Sequence, residues 1–132
     1  MQIFVAVLRV VAAIITLVGL SHVIWGPGAD VLLGAELSSA ALSDPVLDSQ
    51  NRFYGTTFIG YGGLLFLCAT DVRKYATVFS LVSGFIFLGG VARLISAVQV
   101  GLPPPLVIGL IASELIGIPV VVWWHARVLR ES

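Results

Sequence analysis

Four long apolar stretches dominate the sequence, near residues 3–25, 53–70, 76–100 and 106–124. About 20 apolar residues in a helix are enough to cross the hydrocarbon core of a bilayer. Lipid cannot satisfy backbone polar groups, so a crossing segment must be helical unless it closes into a barrel. None of the four stretches alternates polar with apolar residues as a barrel strand does. The sequence therefore predicts an all-α integral membrane four-helix bundle, a single domain over residues 1–132.

The composition agrees with a membrane protein. Hydrophobic residues make up 58% of the chain and charged residues 11%, against about 45–50% and 25% in soluble domains. Seven basic residues balance seven acidic ones, so no basic field favours a nucleic-acid partner. The first apolar stretch exceeds the roughly 7–15 residues of a signal-peptide core, and we expect it to remain as a membrane span.

The distribution of basic residues predicts the orientation. Four of them lie at the end shared by the two termini and the middle turn: Arg73, Lys74, Arg127 and Arg130. The opposite end carries Gly26–Asn51, a 26-residue acidic connection that is predicted to lie outside the membrane. Positively charged loops stay in the cytoplasm. Both termini are therefore predicted to be cytoplasmic, in the cell membrane, most simply the inner membrane of a bacterium.

The second helix is predicted to begin before its apolar stretch. Asp44 can accept hydrogen bonds as the N-cap, and Pro45 suits the first helical position. Asp48 and Arg52 stand four residues apart with the acid first, which is the favourable order for an ion pair on a helix. The helix should therefore project beyond the membrane and enter it at Phe53.

Small residues predict two closely packed helix faces. One face, in the second helix, carries Gly55 and Gly62 together with Asn51 and Phe58, and the other, in the fourth helix, carries Gly109, Ser113 and Gly117. Small side chains let membrane helices approach closely, so both faces are predicted to pack against protein. Pro119 leaves the carbonyl of Leu115 without its helical donor, which predicts a bend beside Glu114.

Two opposite charges, Arg93 and Glu114, stand inside apolar stretches. A lone charge there costs about 2.5–3.5 kcal/mol on insertion scales, so it usually finds a partner inside the bundle. The helical rise of about 1.5 Å per residue brings both into the outer half of the membrane, and we predict that they pair. The predicted polar site of this half comprises His22, Asn51, Arg52, Arg93, Ser96 and Glu114.

Two interpretations of this cluster stay open. In one, the Arg93–Glu114 pair only locks two helices together, and Arg52 only pairs with Asp48. In the other, the polar groups bind the anionic or hydroxylated head group of an amphipathic molecule, as ionisable residues inside membranes are usually functional. His22 and His125 fall at opposite ends of the bundle and no cluster has metal-ligand spacing, so we expect neither a metal nor another cofactor.

A series of short motifs runs through nearly the whole chain. They are the acidic first connection, Asn51-Arg52-Phe53-Tyr54-Gly55, Gly90-x-x-Arg93-x-x-Ser96, Gly101-x-Pro103 and Glu114. The series resembles an uncharacterised family of small bacterial four-helix integral membrane proteins, a domain of unknown function. The resemblance implies the four-helix fold and marks Arg52, Arg93, Ser96 and Glu114 as positions of interest. It implies no activity.

The favoured function is binding of a lipid-like or other hydrophobic small molecule, or service as an accessory subunit of a larger membrane complex. One alternative is a membrane enzyme, an isomerase-like protein acting on an isoprenoid or sterol-like substrate. Glu114 would then transfer a proton and Arg93 would stabilise negative charge. The other alternative is a small transporter or channel, which needs a homo-oligomer because four helices leave little room for a pore. Membrane lipids are expected partners in every case.

Overall fold

The computed structural model describes residues 1–131, which are helical apart from turns and connections and contain no strand. The elements in chain order are α1 (Gln2–Trp25), α2 (Gly28–Leu32), α3 (Ser39–Leu42), α4 (Pro45–Cys68), α5 (Ala76–Gln99), α6 (Pro105–Ala112), a π-helical turn (Ser113–Gly117) and α7 (Ile118–Glu131). The all-α prediction is thereby confirmed for this range.

Three helical segments are long and apolar enough to cross a membrane: Gln2–Trp25, Ala76–Gln99 and Pro105–Arg130. The last combines α6, the π-helical turn and α7 into one segment. These three segments indicate a membrane protein by length and composition. α4 is as long as α1, at 24 residues, but is not among the three.

α4 begins where the sequence predicts. The carboxylate of Asp44 accepts hydrogen bonds from the backbone N–H groups of Val46 and Leu47, each at 2.9 Å, and Pro45 follows it in the first turn. The side-chain cap satisfies two of the four donors that a helix start leaves without partners.

α1 and α4 touch through their backbones. A methyl group on Gly19 would lie 2.6 Å from the carbonyl oxygen of Gly55, and one on Gly55 would lie 2.6 Å from the carbonyl oxygen of Gly19. Farther along, a methyl group on Gly62 would lie 2.9 Å from the carbonyl oxygen of Ala12. The predicted close packing of the α4 face at Gly55 and Gly62 is confirmed.

The hydrophobic core is densest at the end where the N-terminus meets the α4–α5 turn. The ring centroid of Phe4 lies 5.9 Å from that of Phe79 and 5.2 Å from that of Trp124, both edge-on. The buried His125 ring lies 4.3 Å from Phe79, and its Nε2 donates a hydrogen bond to the carbonyl of Val72 at 3.3 Å. We call Phe4, Phe79, Trp124 and His125 the aromatic core.

The predicted packing of Gly109, Ser113 and Gly117 is wrong. A methyl group on Gly109 would meet no atom within 4 Å, and one on Gly117 would meet only Ser113 of the same turn, at 3.9 Å. The last helical segment instead meets α5 through Glu114. Neighbouring helical residues point about 100° apart. The face that carries Gly109, Ser113 and Gly117 is therefore turned away from α5 when Glu114 faces it.

Candidate functional site

A cavity of about 640 Å³ lies among α1, α2, α4, α5 and the π-helical turn. Its charged and amide side chains are His22, Asp30, Asn51, Arg93 and Glu114. Its large apolar and aromatic side chains are Phe53, Tyr54, Phe58, Tyr61, Phe85 and Ile86. Small-molecule sites typically measure about 300–1,000 Å³ and combine apolar walls with a few polar groups, and this cavity fits both criteria.

The cavity opens between α4 and α5. Phe53 and Tyr54 of α4 are 65% and 54% exposed, and Phe85 of α5 is 58% exposed, although all three line the cavity. The exposed Phe85 ring stacks on that of Tyr61 with centroids 6.5 Å apart, and Phe58 lies between Tyr61 and His22. We call Tyr54, Phe58, Tyr61 and Phe85 the aromatic wall. It extends from the opening toward the polar groups.

Arg93 and Glu114 pair as predicted, but loosely. The Nε of Arg93 lies 3.4 Å from Oε2 of Glu114 without hydrogen-bond geometry. Oε2 is buried and accepts no hydrogen bond from any residue between 1 and 131. The guanidinium likewise donates no hydrogen bond to a described residue. Buried polar groups usually have hydrogen-bond partners, so this oxygen is an exception among the described residues.

Two local features bring Glu114 to Arg93. Gly90 lies one turn before Arg93, and a methyl group there would lie 2.7 Å from Cβ of Glu114, so only glycine admits this approach. Glu114 sits in the π-helical turn, where the N–H of Ile118 bonds the carbonyl of Ser113 five residues back. This turn precedes Pro119, whose missing N–H removes the regular bond to the carbonyl of Leu115. π-Helical turns are frequent at functional sites.

His22 forms the second polar pair of the cavity, with Asp30. Nδ1 of the buried His22 ring donates to the carbonyl of Val18 at 2.8 Å, and Nε2 lies 3.3 Å from Oδ1 of Asp30. Both ring nitrogens thus face acceptors, an arrangement that suits an imidazole protonated on both. Asp30 reaches His22 because the chain reverses at Gly26, whose φ of +54° favours glycine.

Sequence reasoning missed Asp30 and the aromatic wall, although both left a signal. The Gly26-Pro27-Gly28 turn predicts a reversal, which folds an acidic residue back over the end of the first helix. Tyr54, Phe58 and Tyr61 follow helical spacing on one face of α4.

Arg52 does not line the cavity, contrary to its predicted place in the site. Its Nη1 donates hydrogen bonds to the carbonyls of Val23 at 2.6 Å and Ile24 at 3.3 Å, at the end of α1. Its Nε and Nη2 bind the carboxylate of Asp48, so that predicted ion pair is confirmed. The hydrogen bonds from Arg52 lower the pKa of Asp48. The end of α1 has carbonyls without partners and a partial negative charge, which together attract this cation.

Ser96 also lies outside the cavity. It is exposed and stands one turn beyond Arg93 toward the end of α5. α5 contacts the π-helical turn at Gly90. Ser96 lies six residues farther along α5, beyond this contact. Of the six residues predicted for the site, the cavity brings together His22, Asn51, Arg93 and Glu114.

Within residues 1–131, no three His, Cys, Asp or Glu side chains are grouped so that they could hold a metal ion. His22 contacts Asp30 at one end of α1, whereas His125 contacts Val72 and Phe4 near the other. The two histidines therefore have separate surroundings.

A family model described as Domain of unknown function (DUF4345) matches residues 2–125. The matched range includes every residue that lines the cavity. No curated protein and no solved structure matches the chain.

Proposed function

We propose a function for this chain from the chemistry of its cavity. The chain belongs to the DUF4345 family, whose domain has no assigned function. In this proposal the protein binds a lipid-like or other hydrophobic small molecule, with the polar head of that molecule at Arg93 and Glu114. Its hydrocarbon part lies along the aromatic wall toward the opening between α4 and α5.

The unsatisfied Arg93–Glu114 pair is the observation that carries the proposal. A pair that only joined two helices would be stabilised by direct hydrogen bonds, since leaving a buried polar atom without one costs about 1–3 kcal/mol. Here Oε2 is buried and unbonded while space for another molecule adjoins it. A bound head group would supply the missing partners.

The proposed setting is a four-helix bundle in the cell membrane, with both termini in the cytoplasm and the cavity in the outer half. α4 is the fourth crossing helix in this arrangement, and its backbone contact with α1 is typical of membrane helices. A cysteine placed at the exposed Ser39 should react with an impermeant reagent added outside intact cells. Labelling that requires permeabilised cells would reverse the orientation.

Mass spectrometry of molecules that co-purify with the protein in polymer-extracted native membrane discs tests the binding. We expect an amphipathic molecule to be enriched over the surrounding lipid. Gly89→Phe should remove it, because Gly89 lines the cavity and its Cβ would enter open space.

Gly84→Phe is the matched control on the same helix. Gly84 is also exposed and free of neighbours, but it does not line the cavity. The control should retain the molecule. Equal retention by both variants would contradict a ligand in the cavity.

A second candidate function, an isomerase-like enzyme, is favoured by the buried Glu114 carboxylate in its irregular turn. A general base needs its target proton within about 2.6–3.2 Å, which an enclosed carboxylate without a competing donor permits. If Glu114 transfers protons, the co-purified molecule should take up deuterium at carbon from heavy water. Glu114→Gln should stop the uptake while the molecule still binds.

A further inference from the structure

The charges around the cavity limit the head group that it can hold. Arg93 contributes one positive charge, while Glu114 and Asp30 each contribute a negative one. His22 carries a positive charge only when both ring nitrogens are protonated. With both carboxylates ionised, the site is therefore neutral or negative, and it has no surplus positive charge. An anionic head group would add a buried charge without compensation, which is costly at low dielectric.

Arg52, a further cation near this end, is not available to correct the balance. Its guanidinium binds Asp48 and the carbonyls of Val23 and Ile24. It is directed at the end of α1 and does not line the cavity.

Hydrogen-bond capacity restricts the head group further. The Arg93 guanidinium can only donate, and an ionised Glu114 carboxylate can only accept. A ligand that satisfies both must accept from Arg93 and donate to Glu114. An ionised carboxylate or a fully ionised phosphate offers only acceptors and an ammonium only donors, whereas one hydroxyl group offers both.

We infer that the cavity selects an alcohol: the neutral hydroxyl group of a long-chain or ring-shaped hydrophobic molecule. The hydroxyl oxygen accepts a hydrogen bond from Arg93 and donates its proton to a bond with Glu114. The hydrocarbon part packs against Phe58, Tyr61 and Phe85. This assignment rests on the proposed binding function and names its ligand class.

Three probes with the same hydrocarbon chain test the inference: dodecanol, dodecanoate and dodecylamine. Binding to the full chain in lipid nanodiscs is measured at about pH 8, where the free carboxylic acid is ionised and the amine protonated. We expect dodecanol to bind at least about tenfold more tightly than either charged probe, because each of those leaves one member of the Arg93–Glu114 pair without a hydrogen bond. Equal or tighter binding of dodecanoate or dodecylamine would overturn the hydroxyl assignment.

The same experiment separates this inference from the function on which it rests. If no probe binds saturably, or if Gly89→Phe binds all three as the parent does, the proposed binding function fails. If the probes bind in the cavity in the wrong order, only the hydroxyl assignment fails.

Exchanging the charged residues should redirect the selectivity. Glu114→Gln leaves Arg93 without its negative neighbour, so the ratio of dodecanol to dodecanoate affinity should fall by about tenfold or more. Glu36→Gln makes the same chemical change at an exposed residue outside the cavity and should leave the ratio unaltered. An unchanged ratio in Glu114→Gln overturns the inference.

Arg93→Gln is the complementary variant. It should move the preference toward dodecylamine by a similar factor, because Glu114 then lacks a positive neighbour. If Glu114→Gln does not fold, this variant decides by the same criterion: an unaltered ratio of dodecanol to dodecylamine affinity overturns the inference.

Discussion

His125 and His22 are both buried, yet the two regions around them use buried polar groups differently. In the aromatic core, His125 packs against Phe79 and Phe4 and donates to the carbonyl of Val72. The cavity that His22 lines also holds Glu114 and Arg93, neither of which forms a hydrogen bond with a described residue. The first region is filled and satisfied, and the second is open and unsatisfied. Tight aromatic packing stabilises the fold in the first region, whereas the second leaves a polar pair beside open space.

The glycine contacts explain why the cavity lies at one end. Gly55 and Gly62 hold α4 against α1, and Gly90 holds α5 against Glu114. Near the α4–α5 turn, large side chains of the aromatic core fill the interior. Toward the other ends of these helices, α4 and α5 are attached to different neighbours, and the space between them stays open. The close α1–α4 contact and the α5 contact at Gly90 are therefore compatible with open space between α4 and α5.

Truncating one phenylalanine in each region tests most directly whether the two regions differ in packing. Phe4→Ala should lower the free energy of unfolding by about 3–5 kcal/mol, as expected for a large cavity in a packed core. Phe58→Ala should cost much less, because Phe58 is only partly buried and already borders open space. Denaturant unfolding in detergent measures both. Equal losses would show that the two regions are packed alike.

Separating α1 from α4 should have the next largest effect. Gly55→Leu forces a side chain into the backbone of α1 and should cost roughly 1–3 kcal/mol or more. Gly63→Leu is the control on the same helix, since a Cβ at Gly63 meets no atom within 4 Å. The control should melt close to the parent temperature. A Gly55→Leu protein as stable as Gly63→Leu would refute the backbone contact.

The Arg93–Glu114 pair should show moderate coupling. Arg93→Leu and Glu114→Leu should each destabilise the protein, because each leaves one charge in the bundle without its partner. The double variant should recover part of the loss, with a coupling energy of about 0.5–3 kcal/mol. Thermal melts of the four proteins complete the cycle. Additive effects would mean that the two residues do not interact.

The smallest expected effect concerns Asp48, outside the cavity. Its pKa lies below the ordinary value of 3.8 because Arg52 donates hydrogen bonds to the carboxylate. The stabilisation is therefore complete above the ordinary pKa and is lost as the pH falls through the lowered value. Parent and Asp48→Asn should differ in melting temperature near neutral pH and converge in acid. A difference that persists unchanged in acid would contradict this linkage.

Local sequence rules predicted several elements well. Asp44 and Pro45 start α4 as expected, since an N-cap depends only on residues within one turn. The Arg93–Glu114 pair was predictable too, because a charge in an apolar helix has few ways to avoid lipid. Local rules failed for Gly109, where the spacing of small residues indicated packing that the fold does not use. The spacing of small residues defines a helix face, but it does not determine which helix packs against that face.

The amino-acid sequence alone predicts that the chain is helical and apolar, because backbone groups in lipid must bond within their own segment. It also determined that Arg93 and Glu114 require partners. Three contacts are visible only in the tertiary structure. Arg52 binds the end of α1, and Asp30 folds back to His22. Glu114 meets Arg93 without a hydrogen bond. Helix formation depends on neighbours along the chain, whereas these contacts depend on where separate helices touch. The glycines at 19, 55 and 90 allow the close approach of the helices, and the turn at Gly26 returns Asp30 to His22.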